Sequence, residues 1–595
     1  MVINKDKFYI FSIFIILFSN LFPKFNAEEI KWEKIQNKKS SEKNNKIKWK
    51  KYFPKTVFEK SENEVLENKI TEYSDSENIK ETKEFFYLGF AVPNADLLTK
   101  KDFMIYAEQL FPLYKSDLEQ GTANQNYSVF IGYGINDKMM LTGFFSHSDD
   151  PLYSKINNIE KQPANKWISL GIGSRLNLFE SSSFLLSLDA SLESWYVKSG
   201  GCNGIGCNVT SSNIFDKSLN EFKNLNLIGS LALPSTFRIS EKTKLVFSPK
   251  ITFLPKNQTF ESSSGSFYGL NTGIGLGLSK ELNKRLHIYN SAYFPLSGNN
   301  TFDDNLKYKK AIIYDFGFSY LIDPKVSFQG YLSNSFGATP ATGVLTIPSD
   351  NNLILGTRLV YKPTALDLEE NFEANFKYKF DGLSVTNTDL IKPNELLFDI
   401  SFDKYSGIWT KVSTGLSRNF NFEIITGKSS SKKMHNNYFD NYIGSNLQTL
   451  RFGGKAILIK QNKSSPITSG VRMTFGRTLG DNWPGYLFLE NINSKNFSSK
   501  IKLNITPKIA WTSSENLSAI GTSLIFDLND KFSLIFERNT ALRNAESNFT
   551  TAFRILNNEN RYIDFYVTDS SNFNDIGELI NAKDIYYGIK VGFKF

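Results

Sequence analysis

Over residues 167–178 the chain alternates between large apolar side chains and small or polar ones. Ile168, Leu170, Ile172, Leu176 and Leu178 fall on one face with Ser174, and Ser169, Gly171, Gly173, Arg175 and Asn177 on the other. A period of two belongs to an extended strand with two unlike faces and does not fit a helix. The same alternation recurs over 270–279, 312–322, 471–475, 501–505, 520–528 and 531–538. So many amphipathic strands restrict the chain to an all-β architecture. The composition then makes sense. The 595 residues include 52 Phe and 27 Tyr, yet mean hydropathy is only −0.30. If one face in two is apolar, the average stays mild while aromatics abound. The only long apolar run is N-terminal, which excludes a polytopic helical membrane protein, and this aromatic content excludes disorder over most of the chain.

Short turns separate the strands: Asn136-Asp-Lys138, Asn283-Lys-Arg285, Asp323-Pro-Lys325 and Asn529-Asp-Lys531. Asn and Asp favour tight hairpins because their side chains bond the backbone two residues on. Longer polar stretches at 198–221, 337–351, 428–448 and 569–583 alternate with them. At the C-terminus, Ile585, Tyr587, Ile589, Val591, Phe593 and Phe595 share one face. This last strand, ending on an aromatic residue, resembles the terminal strand of bacterial outer-membrane β-barrels. In that family it is the assembly signal, which gives Tyr587, Ile589, Val591, Phe593 and Phe595 that role here. The resemblance implies a large antiparallel transmembrane β-barrel over 85–595, with about 22–26 strands, as one barrel or split into two. It also implies outer-membrane lipid and the barrel assembly machinery as partners.

The N-terminal 84 residues are of another kind. Lys5 and Lys7 precede an apolar core at 8–22 closed by Pro23, which reads as a signal peptide over 1–27; the alternative is an uncleaved anchor. Residues 28–84 hold 14 Lys and 13 acidic residues with no Gly, the bases concentrated before residue 61 and the acids after it. They read as a charged periplasmic tether, largely disordered. It is either a solvated spacer or a contact for a cell-wall polymer or periplasmic partner through Trp32 and Trp49.

Around 363–394 the up-and-down order cannot be kept with short turns on one side only, so an insertion, a plug-like loop or a junction between two barrels is expected there. Gly89-Phe-Ala-Val-Pro-Asn-Ala-Asp-Leu-Leu98 resembles the opening stretch of YjbH-type double barrels, which are associated with exopolysaccharide. The folded plug of TonB-dependent transporters has no counterpart in the charged tether.

Chemistry-bearing motifs are few. Cys202 and Cys207 lie in a Gly-rich exported loop and are expected to form a local disulfide. No metal-ligand spacing, nucleotide fingerprint or hydrolase motif is present in the sequence, so no enzyme, cofactor or nucleic-acid role is expected. Alternation places Arg175, Arg358, Arg472, Arg554, Lys502 and Lys590 on the inner face, with Asp315, Asp527 and Glu537. Rings of basic side chains favour anions in a pore; the other reading is that these charges brace the wall against one another. The expected function is a channel or transport component for small polar, anionic solutes. The alternative is a non-conducting envelope assembly or polysaccharide-export barrel tethered to a periplasmic partner.

Overall fold

The structure, a computed structural model, describes residues 90–112, 126–149, 166–199, 222–254, 269–302, 308–335, 337–346, 353–365, 380–403, 407–428, 448–462, 465–478, 485–511, 516–557, 560–573 and 576–595. The strands form two antiparallel barrels of twelve wall strands each. The first closes where Phe103–Pro112 pairs with Ile354–Tyr361. A short extra strand, Ser235–Ser240, is inserted beside Phe184–Ser199 and Thr243–Phe253. The second barrel runs in chain order from Leu396–Asp403 to Asn581–Lys594, and these two strands pair to close it. The wall strands expected from the sequence are thus shared between two rings.

The parity break at 363–394 has a simple origin. A barrel with an even number of strands begins and ends on the same side. Lys362 bonds the turn carbonyl of Lys325, and Asn394 bonds Gly415 near the turn at 418–419, so the connection leaves and arrives on the short-turn side. Those turns form as their residues require. The Asn283 side chain accepts from the Arg285 and Leu286 amides, Asp323 from Lys325 and Val326, and Asn529 from Lys531 and Phe532.

Outward faces are apolar. Leu170, Ile172, Leu225 and Leu227 are each more than 60% exposed on the first barrel, and Phe536, Phe565 and Val567 are exposed on the second, each by more than 40%. Their strand neighbours Ser169, Arg175, Glu537 and Asp564 are buried on the inner faces. Apolar outside and polar inside is the pattern of a barrel set in lipid. An apolar cluster of Ile322 and Val326 with Phe420 and Ala456 joins the two walls, and the Ser417 hydroxyl donates to Asp323 beside it.

Candidate functional site

Each lumen is crossed by a non-strand segment that precedes the barrel's first wall strand. In the second barrel this is 380–391. An extended segment without a ladder must satisfy its backbone groups elsewhere, and here wall side chains do so. Lys508 Nζ donates to the Ser384 carbonyl at 2.6 Å, Thr506 to Thr386 at 3.0 Å, Lys590 to Gly382 at 3.2 Å, and Arg554 to Phe380 and Asp381 at 3.0 and 2.7 Å. Glu537 accepts from the Leu383 and Ser384 amides and the Ser384 hydroxyl. A Cβ at Gly382 would run into that carboxylate, so the close approach requires glycine here.

Two carboxylates of this segment meet wall lysines. Asp381 ion-pairs with Lys455 at 2.9 Å and Lys411 at 3.3 Å, and Asp389 with Lys502 at 2.5 Å. Burial alone would push the Asp381 carboxyl up, but Lys455 and Lys411 hold it well below the ordinary carboxylate range. Leu383 packs among Ile525, Ile535, Ala552, Tyr566 and Phe573, and Phe380 and Ile391 pack with Leu397 and Tyr562. Burying such a side chain contributes roughly 1.5–3 kcal/mol, so the segment is docked by apolar contact as well as by charge.

The first barrel is filled the same way by 90–98. Lys250 Nζ donates to the Phe90 carbonyl at 2.6 Å and the Pro340 carbonyl at 2.5 Å. Lys244 ion-pairs with Asp96 at 3.2 Å, and Arg175 donates to the Asn94 side chain and the Asp96 carbonyl. Glu193, on the wall, accepts from the Thr339 hydroxyl and the Ala341 amide, which holds a second inward loop in place.

The two arrangements are one unit used twice. Gly89-Phe-Ala-Val-Pro-Asn-Ala-Asp-Leu-Leu98 and Gly382-Leu-Ser-Val-Thr-Asn-Thr-Asp-Leu-Ile391 share Gly, Val, Asn, Asp and Leu in register. Their anchors repeat too. Lys244-Leu-Val-Phe-Ser-Pro-Lys-Ile251 and Lys502-Leu-Asn-Ile-Thr-Pro-Lys-Ile509 are the seventh wall strands of their barrels. In each, the first lysine takes the segment aspartate and the second takes a segment carbonyl. Val92 lies over Gly275 and Val385 over Gly521, both glycines on the eighth wall strands. Gly356-Thr-Arg-Leu-Val-Tyr-Lys362 and Gly588-Ile-Lys-Val-Gly-Phe-Lys594 end the twelfth strands, each glycine beneath a tyrosine ring of the eleventh, Tyr331 or Tyr566. Between the eleventh and twelfth strands each barrel carries a buried 3-10 turn, Thr342–Val344 or Ile576–Leu579.

The inner-face residues expected from alternation are placed as follows. Arg175, Arg358, Arg472, Arg554, Lys502, Lys590, Asp315 and Glu537 are buried, and Asp527 is half-buried near a turn with the Ser533 hydroxyl on its carboxylate. The six bases are held by partners: Arg175 by Asp189, Arg358 by Glu108, Arg472 by Glu423 and Glu490, Arg554 by Asp564, Lys502 by Asp389, and Lys590 by the Gly382 carbonyl. Asp315 accepts from Ser291. On the terminal strand Tyr587, Ile589 and Phe595 are exposed, while Val591 and Phe593 are half-buried. Cys202, Cys207, Trp32 and Trp49 lie outside the described residues. The alternation pattern did not reveal the lumenal segments, because neither is a strand. The internal repeat of Gly89–Leu98 was the signal that could have found the second one.

No protein-family model matches the chain, and no curated protein sequence matches it. Among solved structures, it is similar to the siderophore receptor PirA from Pseudomonas aeruginosa at 8% identity, covering 84% of this chain and 81% of that one, with a TM-score of 0.21. An outer membrane channel from Pseudomonas putida F1 aligns at 13% identity over 45% of this chain and 97% of that one, TM-score 0.29. The N-terminal β-barrel domain of Pseudomonas aeruginosa OprF aligns at 12% identity over 30% and 96%, TM-score 0.16. Scores this low leave the assignment to the chain's own geometry. That geometry is a pair of transmembrane-type β-barrels, each with its lumen filled by a repeated segment.

Proposed function

We propose that the chain is an outer-membrane transport component whose two barrels are closed at rest, each by its own lumenal segment. The observation that carries this reading is how the segments are held. Both 90–98 and 380–391 lie outside the wall ladder and are fixed largely by side chains, Lys250 and Lys508 above all. Such contacts break one at a time without opening the wall, whereas a ladder would have to unzip. The cargo in this reading is a small polar solute, since the inner faces are polar. The test is planar-bilayer conductance of the refolded full-length protein. Wild type should be mostly closed, and Lys502→Gln with Lys508→Gln should produce frequent openings. If replacing 380–391 by a Gly/Ser stretch of equal length still gives no conductance, the transport reading fails. The non-conducting envelope reading then takes its place, and the filled lumens are the observation that favours it.

A further inference from the structure

We propose that the second lumen is an anion site, occupied at rest by the protein's own Asp381 and Asp389, and that the solute which displaces the segment carries carboxylates. This rests on the transport reading above and names its substrate class. Among the described residues, the hydrogen bonds and ion pairs of Lys455 all go to the segment, to Asp381 and the Asn387 carbonyl, and that of Lys502 goes to Asp389. Lys411 divides itself between Asp381 at 3.3 Å and the wall carboxylate Asp399 at 3.7 Å. Lys590 reaches the segment only at a backbone carbonyl, that of Gly382, and three other wall bases differ. Arg472, Lys508 and Arg554 hold carboxylates of the wall or of the turn at 576–579, and they would keep them if the segment left.

Departure of the segment therefore strips its carboxylates from three lysines inside a narrow polar lumen. Lys455 and Lys502 lose their ion-pair partners and Lys411 keeps Asp399 alone, with Glu423 the other wall carboxylate whose charge reaches Lys411 and Lys455. The positive charge left in excess is costly, and an entering anion offsets that cost where a neutral or cationic solute cannot. The lumen then recognises what it held before, a carboxylate at Lys411 and Lys455 and another at Lys502. The first barrel offers a built-in contrast. Its Asp96–Lys244 pair repeats Asp389–Lys502, but Leu88 stands in sequence where Asp381 stands, so half of the anion site belongs to the second barrel alone.

The test is the reversal potential of the full-length chain in a planar bilayer across a potassium chloride gradient. Asp381→Asn with Asp389→Asn should open the second barrel with a several-fold preference for chloride over potassium. Adding Lys411→Gln and Lys455→Gln should bring that preference close to unity. Open pores without anion preference in the Asp-to-Asn variant overturn the anion site and leave the transport reading standing. Absence of conductance even after Gly/Ser replacement of 380–391 overturns both. Wild-type chain supplies a measurement independent of those variants folding. Hydrogen exchange of the peptide holding the Leu383, Ser384 and Thr388 amides should speed up at least tenfold when succinate replaces chloride at fixed ionic strength, and not when sucrose is added. Exchange unchanged by succinate overturns the proposal.

Discussion

Val385 presses against Gly521: its Cγ2 lies 3.1 Å from where a Cβ on that glycine would stand, and Val92 holds the same place over Gly275 in the first barrel. The glycine makes a socket in the eighth wall strand for the valine that both segments keep. Filling the socket should expel the segment. Gly521→Ile overpacks this contact at a cost of about 1–3 kcal/mol, and hydrogen exchange over 383–388 should rise by the corresponding factor while exchange over 90–98 stays put. Gly275→Ile should do the reverse. Gly143→Ala, where a Cβ would meet nothing, serves as the silent control.

The Glu108–Arg358 ion pair, 2.5 Å long and buried, lies across the seam where the first barrel closes. Arg358 also donates to Gln329, its guanidinium stacks on the Tyr106 ring, and the Tyr331 hydroxyl donates to Glu108. Removing one partner leaves the other charge stranded. Glu108→Gln should destabilise the first barrel by about 3–5 kcal/mol, seen as a lower urea midpoint in heat-modifiable gel mobility. Glu108→Gln with Arg358→Met should recover part of that loss. A double variant no better than the single one would mean that the pair's energy lies in its geometry rather than in its charge.

The walls were legible in the sequence because lipid imposes a period of two on them. Leu170 and Ile172 face outward and Arg175 inward for the same reason, and each can be read from its neighbours. The Asx turns at Asn283, Asp323 and Asn529 were legible because their chemistry is local. What fills the lumens was not legible by that means. Asp381, Ser384 and Asp389 find Lys455, Glu537 and Lys502 across long sequence separations, and a segment held by side chains alone has no period to betray it. Inner-face charges could be placed by alternation, but their partners could not. Lys590 shows the limit, since the group it bonds is a backbone carbonyl, at Gly382.

Docking of 380–391 should depend on pH with a definite sign. Asp381, outside the spanning strands, is held well below the ordinary carboxylate range by Lys455 and Lys411 once docked, against the push of burial. Undocked, it returns to a value near 4. A depressed value in the docked state means that its contribution is fully present above about pH 5 and is lost as pH falls through 4 and below. Hydrogen exchange over 383–388, corrected for the intrinsic rate, should therefore accelerate from pH 5 down to pH 3. Asp381→Asn should exchange faster throughout and show a flatter response in that window. A wild-type profile as flat as the variant's would remove Asp381 from the latch.

The C-terminal aromatic residue separates stability from recognition. Phe595 exchanges two backbone hydrogen bonds with Leu396, at 2.8 and 3.0 Å, while its ring is 76% exposed. The backbone bonds close the second barrel and are each worth about 0.5–1.5 kcal/mol; the exposed ring adds little packing. Phe595→Ala keeps both bonds, so the refolded barrel should lose no more than about 0.5 kcal/mol. Deleting Phe595 removes them and should cost about 1–3 kcal/mol. If the ring is read by the assembly machinery, both variants should insert poorly in cells, although only the deletion is less stable in detergent. Normal insertion of Phe595→Ala would instead confine the role of the residue to its backbone.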